Sequence, residues 1–276
     1  MKNLGFIGFW GKNFLGLLLG AFIFNEVSAS LIINPTRVIF DGRDRAQAVT
    51  IINSSNKTKT YRIKMVEKRQ DAKGGYITQK ESIEGKVSLN QASPMLRYSP
   101  RQVTLGPNER QTVRISLRKS ANLPSGEYRS HMAFQILPDA EPVDLNREKA
   151  GFKIFMLPSF SIPVQVRNGQ VQVSAKILQP KIVKVSDDKF GVAMNLQRQG
   201  DFSAFGSLKV LYKPTSQANY SEVGILNNVA VYREARQIPI TVNLKQSPKK
   251  GFYRVEFLAD QSFQQKMFDA TEFKID

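Results

Sequence analysis

From residue 31 onward, almost every apolar stretch of this chain is short, rich in β-branched or aromatic residues, and closed by a turn signal. That habit constrains the fold more than any other feature. A helix bundle needs apolar residues recurring about every 3.6 positions over roughly ten or more residues, whereas a half-buried strand needs strict alternation over about four to eight. The alternation is plain in two places. Tyr61, Ile63 and Met65 are interleaved with Arg62 and Lys64, and Val113, Ile115 and Leu117 with Arg114, Ser116 and Arg118. In each case the apolar set is expected to face inward and the basic set outward.

The same rhythm runs through the chain. Residues 31–42 end in Asp41-Gly42, residues 48–53 run into a polar cluster, and 95–119 read as strand, Gly106-Pro107 turn, strand. Residues 71–93, with Gly74-Gly75, read as a loop carrying a small ribbon. Tyr128, Met132, Phe134 and Ile136 place a strand within 123–138. Residues 151–167 form a long, mainly apolar stretch in which Ile154, Met156, Phe160, Ile162 and Val164 share one parity. Pro158 and Pro163 each remove a backbone donor, so this stretch is expected to be an edge strand, or two pieces around a break. The turn pair Asn168-Gly169 follows and marks a domain boundary. Strand patterns resume at 171–178, 191–197, 206–213, 229–234, 238–244 and 251–259, with a closing strand at 268–275. The expected fold class is all-β, two sandwiches of seven strands each. The domains are placed at 30–167 and 168–276.

Residues 1–29 read as a signal peptide. Lys2 and Lys12 precede the apolar run 14–24, and Val27-Ser28-Ala29 offers small residues for cleavage before Ser30. The alternative, an uncleaved anchor, is disfavoured because the run is short for a membrane span. With no later span of that kind, no stable membrane insertion is expected once the signal is removed. The chain holds no cysteine, which excludes disulfides, thiolate catalysis and cysteine-based metal sites. The formal net charge of +17 favours anionic partners without choosing among them.

Catalytic chemistry has little to build on. His131 is the only histidine and lies in a strand pattern, so a serine triad could use only that residue and a standard zinc site lacks its ligands. No nucleophile elbow, phosphate-binding loop or dinucleotide fingerprint occurs. The aromatics fall mostly on inward parities rather than beside basic residues, against the stacking surface of a single-strand nucleic-acid binder. The expectation is a binding protein and not an enzyme, with no cofactor, no metal and no nucleic-acid partner.

Three stretches resemble the periplasmic chaperones of the chaperone–usher pilus pathway, the PapD-like family. They are residues 36–42 with Arg37 and its following apolar residues, 96–117 with Pro100, Leu105, Pro107 and Arg114, and 123–130 with Gly126-Glu127-Tyr128-Arg129-Ser130. The likeness covers most of 30–167 and is weaker beyond. It implies two immunoglobulin-like β-sandwich domains at an angle, a periplasmic location, and binding of pilus-type or other surface subunits that lack a strand. An outer-membrane usher is implied as a further partner. The mode is donation of an edge strand, in which backbone ladder bonds and alternate side chains complete the subunit's sheet. By position, the strand with Ile154, Met156, Phe160, Ile162 and Val164 resembles the donor, and ordinary core is its other reading. Arg37 resembles the arginine that holds the subunit's terminal carboxylate. The family pairs that arginine with a lysine on the donor strand. Here Pro163 stands in that place, with Lys153 before it and Arg167 after it as the alternative cations. A structural or adhesive immunoglobulin-like surface component is the alternative reading of the whole chain.

Overall fold

The computed structural model describes residues 31–78, 90–138 and 157–276. Eleven strands precede the Asn168-Gly169 turn: β1 (Leu31–Asn34), β2 (Val38–Phe40), β3 (Ala46–Asn53), β4 (Lys59–Val66), β5 (Lys68–Gln70), β6 (Tyr76–Thr78), β7 (Leu96–Ser99), β8 (Gln102–Leu105), β9 (Arg110–Leu117), β10 (Gly126–Ile136) and β11 (Ser159–Asn168). Seven follow it: β12 (Val173–Ser186), β13 (Lys189–Gly200), β14 (Ala204–Lys213), β15 (Ser221–Val231), β16 (Gln237–Asn243), β17 (Gly251–Ala259) and β18 (Met267–Ile275). The only helical element among the described residues is one 3₁₀ turn, Ser93–Met95.

The first sandwich packs a four-stranded sheet, β1-β3-β9-β7, on a five-stranded one, β2-β11-β10-β4-β8. Its core takes the residues that alternation sends inward. Val113 and Ile115 meet Tyr61, Ile63, Met132 and Phe134, all essentially inaccessible to water. The strand count exceeds seven because two extended stretches each divide between the sheets. At Asn34-Pro35 the chain leaves β3's flank, where β1 pairs antiparallel, and re-enters as β2 parallel to β11. At Ser99-Pro100 it crosses from β7 beside β9 to β8 beside β4. Proline suits such crossings because it has no N–H to lose from either ladder.

The second sandwich has the expected seven strands, in sheets β12-β13-β16 and β15-β14-β17-β18. Val192, Leu208, Val210, Val255 and Phe257 fill it. Two strands run past the sequence pattern through irregularities. β12 continues through a register shift between Leu178 and Lys181, where Gln179 takes a φ of 52° and Pro180 needs no partner. β15 begins at Ser221 and passes its own irregularity near Asn227-Asn228. At both places the extra residues form bulges that keep the strand continuous. Between the sandwiches Gly169 has a φ of 91°, the left-handed conformation that the predicted turn needs and glycine adopts without strain.

Candidate strand-docking edge and interdomain cleft

β11 is one continuous strand with two kinds of flank. On its inner side it pairs antiparallel with β10 along its whole length, Ser159 opposite Gln135 and Asn168 opposite Gly126. On its outer side only Val164, Gln165 and Val166 are covered, by β2. The register fixes which backbone groups point outward. Ile136 N–H donates to Pro158 O across 3.2 Å, so the even-numbered residues exchange bonds with β10 and the odd-numbered ones face the outer edge. The Pro163 carbonyl is taken by the Val38 N–H, as the parallel Val164–Val38 pair requires, and Ser159 and Ser161 present N–H and C=O outward. Among the described residues no strand pairs with that part of the edge. Pro163 is tolerated because its missing donor points outward just before the β2 ladder begins.

The side chains divide by the same parity. Ile162 and Val164 are 4% and 0% exposed, locked in the domain's own core, with Phe160 partly buried against it. Ile162 and Val164 therefore cannot fill another molecule's slot without emptying their own, which corrects the sequence expectation for those two side chains. Near this segment the strand can offer a partner its backbone. Lys153, Ile154 and Met156 lie outside the described residues.

The odd parity, which the sequence pattern left unread, faces the second domain. Arg37, just ahead of β2, donates from Nη1 to Gln165 Oε1 and to Tyr232 Oη, both at 3.2 Å. Its guanidinium lies 4.0 Å from the centre of the Phe205 ring, a cation–π contact. The remaining Arg37 N–H groups are not sealed away. Arg37 also lines a cleft of ≈ 420 Å³ between the domains with Phe205, Asn227, Asn228, Leu258 and Asp260. The residue of β11 that touches Arg37 is thus Gln165, not the Pro163 that linear comparison suggests. Gln165 is fully buried and its Nε2 has no partner.

A second cation stands along the same face. Lys68 of β5 donates from Nζ to Ser161 Oγ at 2.7 Å, and burial lowers its pKa. Between the two cations, His131 lies opposite Pro163 and is packed edge-on to Tyr76 and Tyr232 at ring separations of 5.7 and 6.5 Å. Burial, then the charges of Arg129, Lys68 and Arg37, push its pKa down to about 3. His131 is therefore neutral under ordinary conditions, structural as the sequence reading expected, though placed at the domain junction rather than inside a sandwich.

Arg167, the other expected cation, is 1% exposed. It donates to Asp41 Oδ2 at 3.4 Å and Ser262 O at 3.1 Å and lies 4.7 Å from the Phe263 ring. Its charge is spent holding the domains together and does not reach the open edge, because it emerges from β11 beyond the segment that β2 covers. The residues the sequence missed (Lys68, Gln165 and Tyr232) come from three separate strands or turns, and no local spacing announces them.

No group of three or more acidic, cysteine or histidine side chains able to hold a metal ion occurs among the described residues. No family model and no curated protein matches the chain. Among solved structures it is similar to the YadV chaperone, at 12% identity over 89% of this chain and 100% of that one, with a TM-score of 0.43. It is similar to the class 5 fimbriae chaperone CfaA at 11% identity, 89% and 99% coverage, and a TM-score of 0.42. The Pseudomonas aeruginosa CupB2 chaperone gives 12%, 89% and 100%, and 0.42. These three neighbours are chaperones.

Proposed function

We propose that this chain is a periplasmic chaperone, without enzymatic activity, that holds incomplete surface-fibre subunits by adding β11 to their sheets. The observation that carries the reading is the outer edge of β11. It is unpaired over Ser159–Ile162 among the described residues and ends where β2, which Arg37 immediately precedes, begins to cover the strand. A sheet edge with free donors and acceptors recruits strands.

The geometry also suggests the direction of the guest. A strand laid beside Ser159–Ile162 reaches β2 at Val38 and must stop there. If its C-terminus is the end that stops, it runs parallel to β11, as β2 does, and its terminal carboxylate arrives at Arg37. Pro163 supplies no N–H to the guest's last oxygen atoms, and the arginine fork supplies donors in its place, a charge-assisted arrangement stronger than the ladder bond it replaces. Lys68 adds positive potential to the same end. Ile154 and Met156 keep their assignment as side chains that enter the subunit, with Lys153 beside them and Phe160 at the boundary with the core. An outer-membrane usher belongs to the same reading as the site of release.

The test is affinity capture of the tagged chain from periplasm, comparing the parent with Arg37→Ala. The expected result is a co-purifying fibre subunit whose yield falls in the variant. Recovery of the chain itself in the outer-membrane or extracellular fraction, with no subunit attached, would instead make it a surface component and overturn the proposal.

A further inference from the structure

The positive charge of this chain is concentrated in one domain. Among the described residues up to Asn168, Lys and Arg outnumber Asp and Glu eighteen to six; beyond it the ratio is fifteen to ten. Within the first domain the outer face of β2-β11-β10-β4-β8 carries Arg37, Arg129 and Arg167, which face the second domain. The outer face of β1-β3-β9-β7 lies on the opposite side of the sandwich, away from the cleft and the open edge.

That opposite face is an arginine plane. β9 presents Arg110, Thr112, Arg114 and Ser116 to solvent, and exposed Arg118 follows on the same parity. β7 adds exposed Arg97. Register sets Arg114 between Ala48 on β3 and Ser99 on β7, so the guanidinium rises above short, neutral neighbours. Among the described residues none of Arg97, Arg110, Arg114 and Arg118 forms an ion pair. The Arg97 guanidinium bonds only to the carbonyls of Pro94 and Leu96. The carboxylate nearest in sequence, Glu109, accepts the Gly106 N–H within its own turn. Alternate strand residues are about 7 Å apart, so these like charges stand within one or two screening lengths of each other. A planar array of anions relieves that repulsion.

The same face ends in exposed apolar surface. Ile32 on edge strand β1 is 51% exposed and pairs with Ile52, which lies opposite Arg110. Tyr98 turns into the core instead, leaving no aromatic platform of the sort that stacks nucleic-acid bases. A flat sheet face also has no projecting element to enter a duplex groove.

We propose that this face docks peripherally on the anionic headgroup layer of a phospholipid membrane. Arginine forks hold lipid phosphate oxygens, and Ile32 and Ile52 lie at the interface. Docking this way leaves the β11 edge and the Arg37 cleft facing away from the bilayer. It requires no inserted segment.

Vesicle flotation tests the proposal, with phosphatidylglycerol–phosphatidylcholine vesicles against phosphatidylcholine alone across a salt series. Binding to the anionic vesicles is expected, weakening as salt rises. At about fivefold per basic residue at a lipid surface, Arg110→Gln with Arg114→Gln lowers affinity roughly 25-fold. Lys189→Gln with Lys250→Gln, the same charge loss on the second domain, is expected to leave it within about twofold. Arg97→Gln with Arg118→Gln serves as the second face variant should the first fold poorly, and unchanged thermal midpoints certify all three. The stretch 14–24 is common to the parent and every variant, so the difference between variants reports the arginine face. Four results overturn the proposal: no retention on anionic vesicles, equal retention on neutral ones, equal loss in the two domains' variants, or tighter binding to duplex DNA or polyglutamate at matched charge.

Discussion

Arg37 and His131 occupy one junction and answer to different physics. Arg37 keeps unused donors beside its bonds to Gln165 and Tyr232, so Arg37→Ala is expected to leave each sandwich folded while loosening the contact between them. Loss of a charge-assisted contact of about 1.5–3 kcal/mol weakens subunit capture roughly ten- to a hundredfold, measurable by titration of the purified pair. Arg37→Lys restores the charge without the fork and recovers only part of it. His131 is a stability group. Its pKa falls from 6.5 in the free side chain to about 3 in the fold, so below pH 6.5 the unfolded chain takes up a proton that the folded one refuses. The stability it contributes is complete above pH 6.5 and drains away as pH falls toward 3, by at most about 1.4 kcal/mol per pH unit. Urea midpoints at pH 7 and pH 5 are expected to separate more in the parent than in His131→Asn. Equal separations contradict the assignment.

At the scale of the element, β11 is a strand with a committed half and an open half. Ser161→Pro removes an outward N–H while sparing the β10 ladder, because the odd parity never bonded to β10. Capture is expected to fall at least tenfold with little change in thermal midpoint. Ser161→Ala, which loses only the hydroxyl that Lys68 contacts, separates the backbone effect from the side-chain one and is expected to be mild. Ile162→Asp buries a charge in the core and is expected to unfold the domain, as removal from water without a partner dictates. The sequence made the strand legible through its alternation and its prolines. Which half is open depends on where β2 lands, and that is set by the crossing at Asn34-Pro35.

Across the whole molecule, the two sandwiches are held by buried polar bonds as well as by contact. Arg129 of β10 pairs through both nitrogens with Glu234 beyond β15, and the two side chains are 5% and 1% exposed. Burial pushes the Arg129 pKa down, and the Glu234 charge and hydrogen bond together with Tyr232 and Glu127 outweigh it and raise the pKa. The same guanidinium lies 3.7 Å from the centre of the Tyr232 ring. Gln70 on the β5–β6 ribbon acts as a strand fragment, donating to Ala230 O and accepting from Tyr232 N, each at 2.9 Å. Glu127 accepts from the Ser203 N–H and hydroxyl. Glu234→Ala leaves Arg129 buried and unpaired, and a loss of about 3–5 kcal/mol is expected. Calorimetry is expected to show the domains melting more independently than in the parent. A single transition at the parental midpoint refutes the role given to this pair.

Two sandwiches, their inward residues and the turn between them were determined by the amino-acid order alone, because alternation and turn chemistry act over a few bonds. Tyr61, Ile63, Val113, Ile115 and Phe134 needed no tertiary knowledge to be placed inside. The cleft is different in kind. Arg37, Gln165 and Tyr232 meet, and Lys68 reaches Ser161, only after two sheets have closed and a ribbon has folded across them, and contacts over such sequence separations leave no local period to read. Even Ile162 and Val164, plain as apolar residues, required the facing sheet to decide that their surface is already spent.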